Sequence, residues 1–280
     1  MKNTVYPCLW FDGNARAAAD LYCSAFANST VTADTPMVVT FELDGTKFMG
    51  LNGGAQFKPN AAISFYVTLE SREVLERAWH LLIAGGSALM PLQAYEWSEQ
   101  YGWVQDRFGV SWQLSLGGSD EVGQRFVPLL MFCGNQQGKA SAAMDYYVSV
   151  FADSAILFIA KYTPGQVAHD ATIVHARFRV LGSQLFMAMD SAVLQPFDFN
   201  EGVSLVIDCE TQEEVDYYWN KLSEGGEESM CGWLKDRFGV WWQVVPAVLP
   251  KLLRDPERAG RVMQAYMKMK KFDIEALLNA

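Results

Sequence analysis

Reactive side chains are sparse in this chain. Its 280 residues include three histidines, His80, His169 and His175, and five cysteines, Cys8, Cys23, Cys133, Cys209 and Cys231. The cysteine number is odd and no two stand at Cys-x-x-Cys spacing, so neither a disulfide framework nor a zinc knuckle is expected. Cys8, Cys133 and Cys209 lie in apolar, strand-like runs and read as reduced thiols acting as small hydrophobes. No Ser-His-Asp or Cys-His set recurs along the chain, which leaves nucleophilic catalysis without support. What remains is a set of hydroxyls, amides and aromatics. It comprises Ser64, Tyr66, Trp103, Ser111 and Gln113, and further on Ser204, Trp233, Trp241 and Gln243. Such groups orient a small, weakly polar organic ligand by hydrogen bonding and ring contact.

The elements that position these residues occur twice. Gly102–Gln113 reads GWVQDRFGVSWQ and Gly232–Gln243 reads GWLKDRFGVWWQ, identical at nine of twelve positions. The match extends outward in the same order: PCLWFDGN from Pro7 with PLLMFCGN from Pro128, FELDGTKFM from Phe41 with FRVLGSQLF from Phe178, and NAAISFYVTLES from Asn60 with NEGVSLVIDCET from Asn200. Self-similarity of this kind marks a tandem duplication. The expected division is 1–118, 126–246 and a helical tail over 247–280, with Gly- and Ser-rich Ser115–Gln124 as the link. The first copy carries about ten additional residues near Ser87–Gln100.

Within each copy the pattern alternates between strand and helix periods. Val5–Phe11 reads as a strand. Asn14 is placed to cap a helix over Ala15–Phe26. Three strands follow, with Asp44-Gly45 as a tight hairpin turn. The same βαβββ order restarts at Ile63, with Ser71 capping the next helix and Gly85-Gly86 ending it. In the tail, Pro246–Leu253 gives a short helix, Asp255 and Pro256 open a helix to about Lys271 with Lys268, Lys270 and Lys271 in its last turn, and Asp273 caps a final turn.

Composition limits the partners. Half the residues are hydrophobic, 19% are charged, and the net charge is −10. A nucleic-acid partner calls for a basic face, so none is expected. No apolar run reaches the length of a membrane span, and the start shows no signal-peptide pattern. A cytoplasmic protein is expected.

These blocks together resemble the vicinal oxygen chelate superfamily, the fold of glyoxalases, extradiol dioxygenases and bleomycin-resistance proteins. The resemblance is stronger to its PhnB-like branch, often labelled 3-demethylubiquinone-9 3-methyltransferase. It is carried by Leu9-Trp10-Phe11-Asp12-Gly13-Asn14, by Phe48-Met49-Gly50-Leu51-Asn52-Gly53-Gly54, and by Gly232 to Val240, and it covers residues 1–250. It implies an α+β fold of tandem domains, each with two βαβββ units, curved barrel-like sheets and helices on the convex face. Metal-using relatives point His, Gln or Glu from first and fourth strands into the curved sheet. Counting from shared landmarks, those places hold Pro7, Met49, Ala62 and Gln113, then Pro128, Phe186, Gly202 and Gln243. One weak ligand per copy does not make a divalent site, so no metal is expected. The glycine pairs do not form the Gly-rich turn of an S-adenosylmethionine enzyme, so no cofactor is expected either.

Strand alternation then assigns faces. The concave set is expected to include Leu9, Phe11, Met49, Ser64, Tyr66, Ser111 and Gln113, with Trp103 beside it. Cys8, Trp10, Phe65 and Trp112 should pack under the helices. The second-copy equivalents are Phe186, Ser204, Trp233, Trp241 and Gln243, whose bulk suggests a narrower cavity. Ser64 and Gln113 could also simply satisfy each other. The expected function is metal-free binding of a small apolar or weakly polar organic molecule. The alternatives are a metal-independent enzyme on an apolar substrate and a protein-interaction module. The two copies are expected to pair within the chain, with a homo-oligomer possible.

Overall fold

The computed structural model describes residues 4–118, 123–163, 165–167 and 169–280. Residues 119–122 of the expected link and the first three residues of the N-terminal reading lie outside them. Two compact units are present: Pro7–Val203, and Ser204–Ala280 with the described residues up to Tyr6.

The fourfold βαβββ pattern is there. The first copy runs β1 (Val5–Phe11), α1 (Ala15–Ala25), β2 (Ser29–Asp34), β3 (Val38–Leu43) and β4 (Thr46–Asn52), then β5 (Ile63–Leu69), α2 (Arg72–Ile83), β6 (Ser87–Tyr95), β7 (Ser98–Gln105) and β8 (Ser111–Leu116). The second runs β9 (Phe126–Phe132), α3 (Ala140–Val150), β10 (Ala155–Lys161), β11 (Ile173–Val180) and β12 (Gln184–Asp190), then β13 (Val203–Cys209), α4 (Gln212–Ser223), β14 (Glu227–Glu228), β15 (Trp233–Lys235) and β16 (Trp241–Pro246). The tail forms α5 (Leu249–Arg254), α6 (Ala259–Tyr266) and α7 (Ile274–Asn279).

One eight-stranded sheet lies wholly within Pro7–Val203. Its order is β10-β11-β12-β9-β5-β8-β7-β6. At its centre β9 runs antiparallel to β5, with Ser64 opposite Leu129 and Tyr66 opposite Val127. The sheet is therefore completed across the repeat boundary, one βαβββ unit coming from each copy. All seven residues of β9 are buried, which explains its unbroken apolar run: a strand covered on both faces has no polar alternation. The additional residues of the first copy lengthen one hairpin. There β6 and β7 span nine and eight residues, whereas β14 and β15 span two and three.

The two copies differ at one turn, and the difference reverses faces. In the first copy Leu43 pairs with Thr46 across Asp44 and Gly45, both with positive φ, a two-residue turn of the primed kind. In the second, Val180 pairs with Gln184 across three residues, Leu181, Gly182 and Ser183. One extra residue shifts the register by one and moves every following side chain to the other face. Phe186 consequently stands where Phe48 does, not where Met49 does.

One expected cap is corrected. Asn14 makes no side-chain cap. The Ala15 N–H donates instead to Asn52 Oδ1 at 3.0 Å, and the Ala140 N–H donates to Asp190 Oδ1 at 3.1 Å. The acceptor comes from the fourth strand of the unit, a long-range partner that local sequence cannot reveal. Ser71 and Asp273 do cap, accepting from the Val74 and Ala276 N–H groups. In the tail, α6 becomes regular only at Ala259 and ends at Tyr266, because Met269 N bonds back to Tyr266 O in a tighter turn. Lys270 and Lys271 therefore lie past the helix and pair with Glu228 and Asp216.

Candidate functional site

The shared Asp-Arg-Phe-Gly-Val-x-Trp block turns out to be a structural knot. Asp106 is buried and accepts from the Phe108 N–H at 2.8 Å, the Val110 N–H at 3.0 Å and Trp112 Nε1 at 2.9 Å. Burial raises its proton affinity above the usual carboxylate value, and these donors oppose that shift. Asp236 makes the same three bonds to Phe238, Val240 and Trp242. Arg237 pairs with Glu224, while Arg107 lies over the Phe108 ring.

The knot fixes which way β8 faces. Trp112 points toward the helices, where it meets Tyr22, Phe26 and Phe65. Ser111, Gln113 and Ser115 therefore face the other side. On β7, a Cβ at Gly102 would collide with Trp79 of α2, so Tyr101 and Trp103 share the face of Gln113. On β5, Phe65 packs inward and Ser64 and Tyr66 share that face as well. Five of the expected residues, Ser64, Tyr66, Trp103, Ser111 and Gln113, thus come together.

Their polar atoms are largely engaged with one another. Gln113 Nε2 donates to Ser64 Oγ at 2.8 Å, and Tyr101 Oη donates to Gln113 Oε1 at 2.7 Å. Trp103 Nε1 donates to Ser111 Oγ at 2.7 Å. Burial pushes the phenols of Tyr66 and Tyr101 up. Tyr101 was not among the expected residues; it stands on the lengthened hairpin, where the second copy has Cys231.

The same face continues onto β11 in strict alternation. His175, Arg177 and Arg179 are half-buried, whereas Ala176, Phe178 and Val180 are buried, Phe178 stacking on Tyr147 of α3. That period-two signal in IVHARFRV marks a site-facing row, yet His175 reads as an isolated histidine unless the row is seen whole. The Tyr66 and His175 rings lie 6.4 Å apart. Their strands are separated by β9 and β12, about 14 Å in a flat sheet at the usual spacing of about 4.8 Å. The sheet is therefore curled, and the Tyr66 and His175 rings meet across its concave face. Burial, then the Arg177 charge, pushes His175 down to about 4.

The remaining expected residues lie elsewhere. Leu9 pairs with Gly50, whose Cβ direction meets Ala15 and Phe11, and Phe11 packs edge-on against Phe108. Both face α1, not the concave side. Cys8 and Trp10 take the opposite face, with Met49 and Leu51. Six of the seven β1 residues are buried, so alternation could not assign its faces. Met49 faces away from α1 as expected but belongs to a different sheet from Ser64. Phe186 stacks on Phe178 beneath α3, the consequence of the three-residue turn. In the Ser204–Ala280 unit, Gln243 Nε2 donates to buried Ser204 Oγ at 3.0 Å. Trp241 packs edge-on against Trp233, with Lys235 Nζ 5.9 Å from its ring centre.

Among the described residues no three His, Cys, Asp or Glu side chains converge. On the concave face, Gln113 is the one ligand-like side chain that the landmarks place there, and both ends of its amide are already bonded. These residues do not fit a divalent ion.

The comparisons agree with this architecture. Glyoxalase I from Zea mays is similar at 10% identity over 91% of this chain and 97% of its own, with a TM-score of 0.59. A Bacillus subtilis protein described as a dioxygenase is similar at 11% identity over 96% and 91%, with a TM-score of 0.50. At these identities the likeness is one of fold. A PhnB protein from Bacillus cereus, described as a 3-demethylubiquinone-9 3-methyltransferase, is 34% identical over 40% of this chain and 98% of its own, with a TM-score of 0.38. No curated protein matches. No helix among the described residues is long and apolar enough to cross a membrane. The model of the 3-demethylubiquinone-9 3-methyltransferase family matches residues 3–115 and again 124–245, and the chain belongs to that family, carrying its pattern twice.

Proposed function

We propose that this is a cytoplasmic small-molecule binding protein of the glyoxalase and bleomycin-resistance fold, holding an organic ligand on the concave face of the β5–β12 sheet without a metal. The observation that carries the reading is the Tyr66–His175 approach of 6.4 Å across a curled sheet. It marks a concave, ring-lined face floored by polar groups that satisfy one another, a surface against which an apolar organic molecule can lie. Trp103 and Phe158 extend the ring surface. Nucleic acid and membrane are not among the proposed partners.

Binding is favoured over acid–base catalysis by the direction of the titrating groups. A general acid or base works best with a proton affinity near the operating pH. His175 moves down to about 4, while Tyr66 and Tyr101 move up. His175 leaves the neutral range, and the two phenols move further from it. The family's label implies a methyl donor, and the glycine pairs do not fit one. Gly85 and Gly225 end α2 and α4, and Gly53 makes room for the Trp10 ring, whereas a nucleotide cradle opens at a helix N-terminus.

Native mass spectrometry of the purified protein, with and without a metabolite extract, tests the reading. One organic adduct per chain is expected, weakened by Tyr66→Ala. Metal analysis after dialysis should find far less than one equivalent of zinc, iron, manganese or nickel. A stoichiometric ion lost in Gln113→Ala would overturn the metal-free reading.

A further inference from the structure

Edge strands offer unpaired backbone groups, and natural edges carry features that stop a neighbouring chain from pairing with them. Three of the four edge strands among the described residues do so. β2 exposes Thr30, Thr32 and Asp34, and Asp34 pairs with Arg16. β14 is two residues long, both glutamates. β6 contains Pro91, which has no N–H to offer, and register shifts interrupt its pairing with β7. The fourth edge, β10, reads AILFIAK, with no proline and a single charge, Lys161, at its last position. Its middle residues Leu157, Phe158 and Ile159 are 50%, 44% and 38% exposed. Phe158 pairs with Arg177 and Ile159 with Ala176, so apolar groups reach solvent on both faces of the edge. Such an edge is a template for another strand.

The shape of this edge selects its occupant. The register of β10 on β11 jumps from Ile156–Phe178 to Phe158–Arg177, so Leu157 is an extra, bulged residue. Before the bulge, Ala155 shares the face of Arg179 and Ile156 that of Phe178. After it, Ile159 shares the face of Ala176 and Ala160 that of His175. A regular strand laid along β10 would match these faces on one side of the bulge and slip by one residue on the other, which reverses every facing pair. A strand with the same bulge, running antiparallel about a two-fold axis between Leu157 and Phe158, matches on both sides. Ile156 then lies opposite Ile159 of the partner subunit, and Ala155 opposite Ala160 of the partner subunit. Charge agrees with this register. Lys161 and Asp153 are exposed at the two ends of the stretch, and the same axis brings Lys161 beside Asp153 of the partner subunit, once at each end.

We infer that β10 is the contact between two molecules of this chain, paired edge to edge and antiparallel about that two-fold axis. The contact uses the same patch on both molecules, so it closes at two. The far edge of the same sheet is β6, where Pro91 opposes further growth. The inference is independent of what the concave face binds.

Sedimentation equilibrium of the full-length protein tests it and should show a monomer–dimer equilibrium. Leu157→Lys places two ammonium groups at the axis and should raise the dissociation constant roughly tenfold or more, the scale of a central interface residue. Its circular dichroism should remain that of the parent, because Leu157 is exposed within one molecule. A charge swap reads the register. Asp153→Lys and Lys161→Asp should each weaken the dimer by roughly twofold to tenfold, and the double variant should recover the parental constant, a rescue that a folding defect would not produce. A protein that stays monomeric at every concentration overturns the inference and leaves the edge to a partner of another kind. A dimer unaffected by Leu157→Lys overturns it by placing the contact away from β10. Single charge variants that the double variant does not rescue, or that leave the dimer unchanged, overturn it by denying the antiparallel register.

Discussion

The buried polar residues of the concave face behave as one unit. Tyr101, Gln113 and Ser64 form a chain of two hydrogen bonds in a buried setting. Removing one member strands its neighbours, which costs about 1–3 kcal/mol per unsatisfied group. Gln113→Leu alone should therefore destabilise by about 2–4 kcal/mol in urea unfolding. The triple change Tyr101→Phe, Gln113→Leu, Ser64→Ala should cost less than that single change, because no orphan remains. A triple variant less stable than Gln113→Leu would show that the network is not a unit. His175 gives the molecule an acid sensitivity with a definite sign. Its folded-state proton affinity lies near 4 against about 6.5 for a free imidazole, so the unfolded chain binds the extra proton first. Stability is intact above about pH 6.5 and declines as pH falls toward 4, by up to about 3 kcal/mol from this group. His175→Gln should lose less stability than the parent between pH 7 and 4.5 by chemical denaturation. An equal loss in both would place the sensitivity elsewhere.

At the scale of elements, turn length decides what a strand presents. Leu181 sits at φ 52° in the longer turn, a conformation that favours Gly and Asn over branched side chains. Leu181→Asn should stabilise by several tenths to about 1 kcal/mol, read as a rise in the unfolding midpoint at unchanged slope. Asn52→Ala removes the acceptor for Ala15 N–H and should cost about 1 kcal/mol. The same turn shows what was legible in the sequence. The βαβββ order, the duplication and the faces of β5, β7 and β8 could be read, because polar residues alternate with apolar ones there. Phe186 could not be placed by analogy with Met49, since the two aligned blocks have equal length and the extra turn residue is visible only as hydrogen-bond register. Leu9 and Phe11 failed for a different reason: a strand buried on both faces carries no alternation to read. His175, Arg177 and Arg179 did carry it, but their significance depends on a curl that brings β11 across to β5.

At the scale of the molecule, the sheet that carries the concave face is assembled from the second half of one copy and the first half of the next. Cutting the chain after residue 118 removes β9, the antiparallel neighbour of β5, and leaves a central apolar strand as an open edge. An isolated first copy should therefore self-associate to cover that edge. Light scattering on a fragment ending at residue 118 should report a dimer or larger, and a stable monomer would contradict the reading of β5 as an obligate interior strand. There is also a consequence for heredity. The unit that was duplicated and the unit proposed to hold a ligand are out of phase by half a repeat. A crossover at the link between copies divides the concave face, whereas one near Lys58 or Val203 would hand it on intact. Compensating changes for a substitution at Ser64 are to be sought at Leu129 or Met187, beyond the repeat boundary, and a shuffled library cut at the wrong seam would recombine halves that never shared a partner.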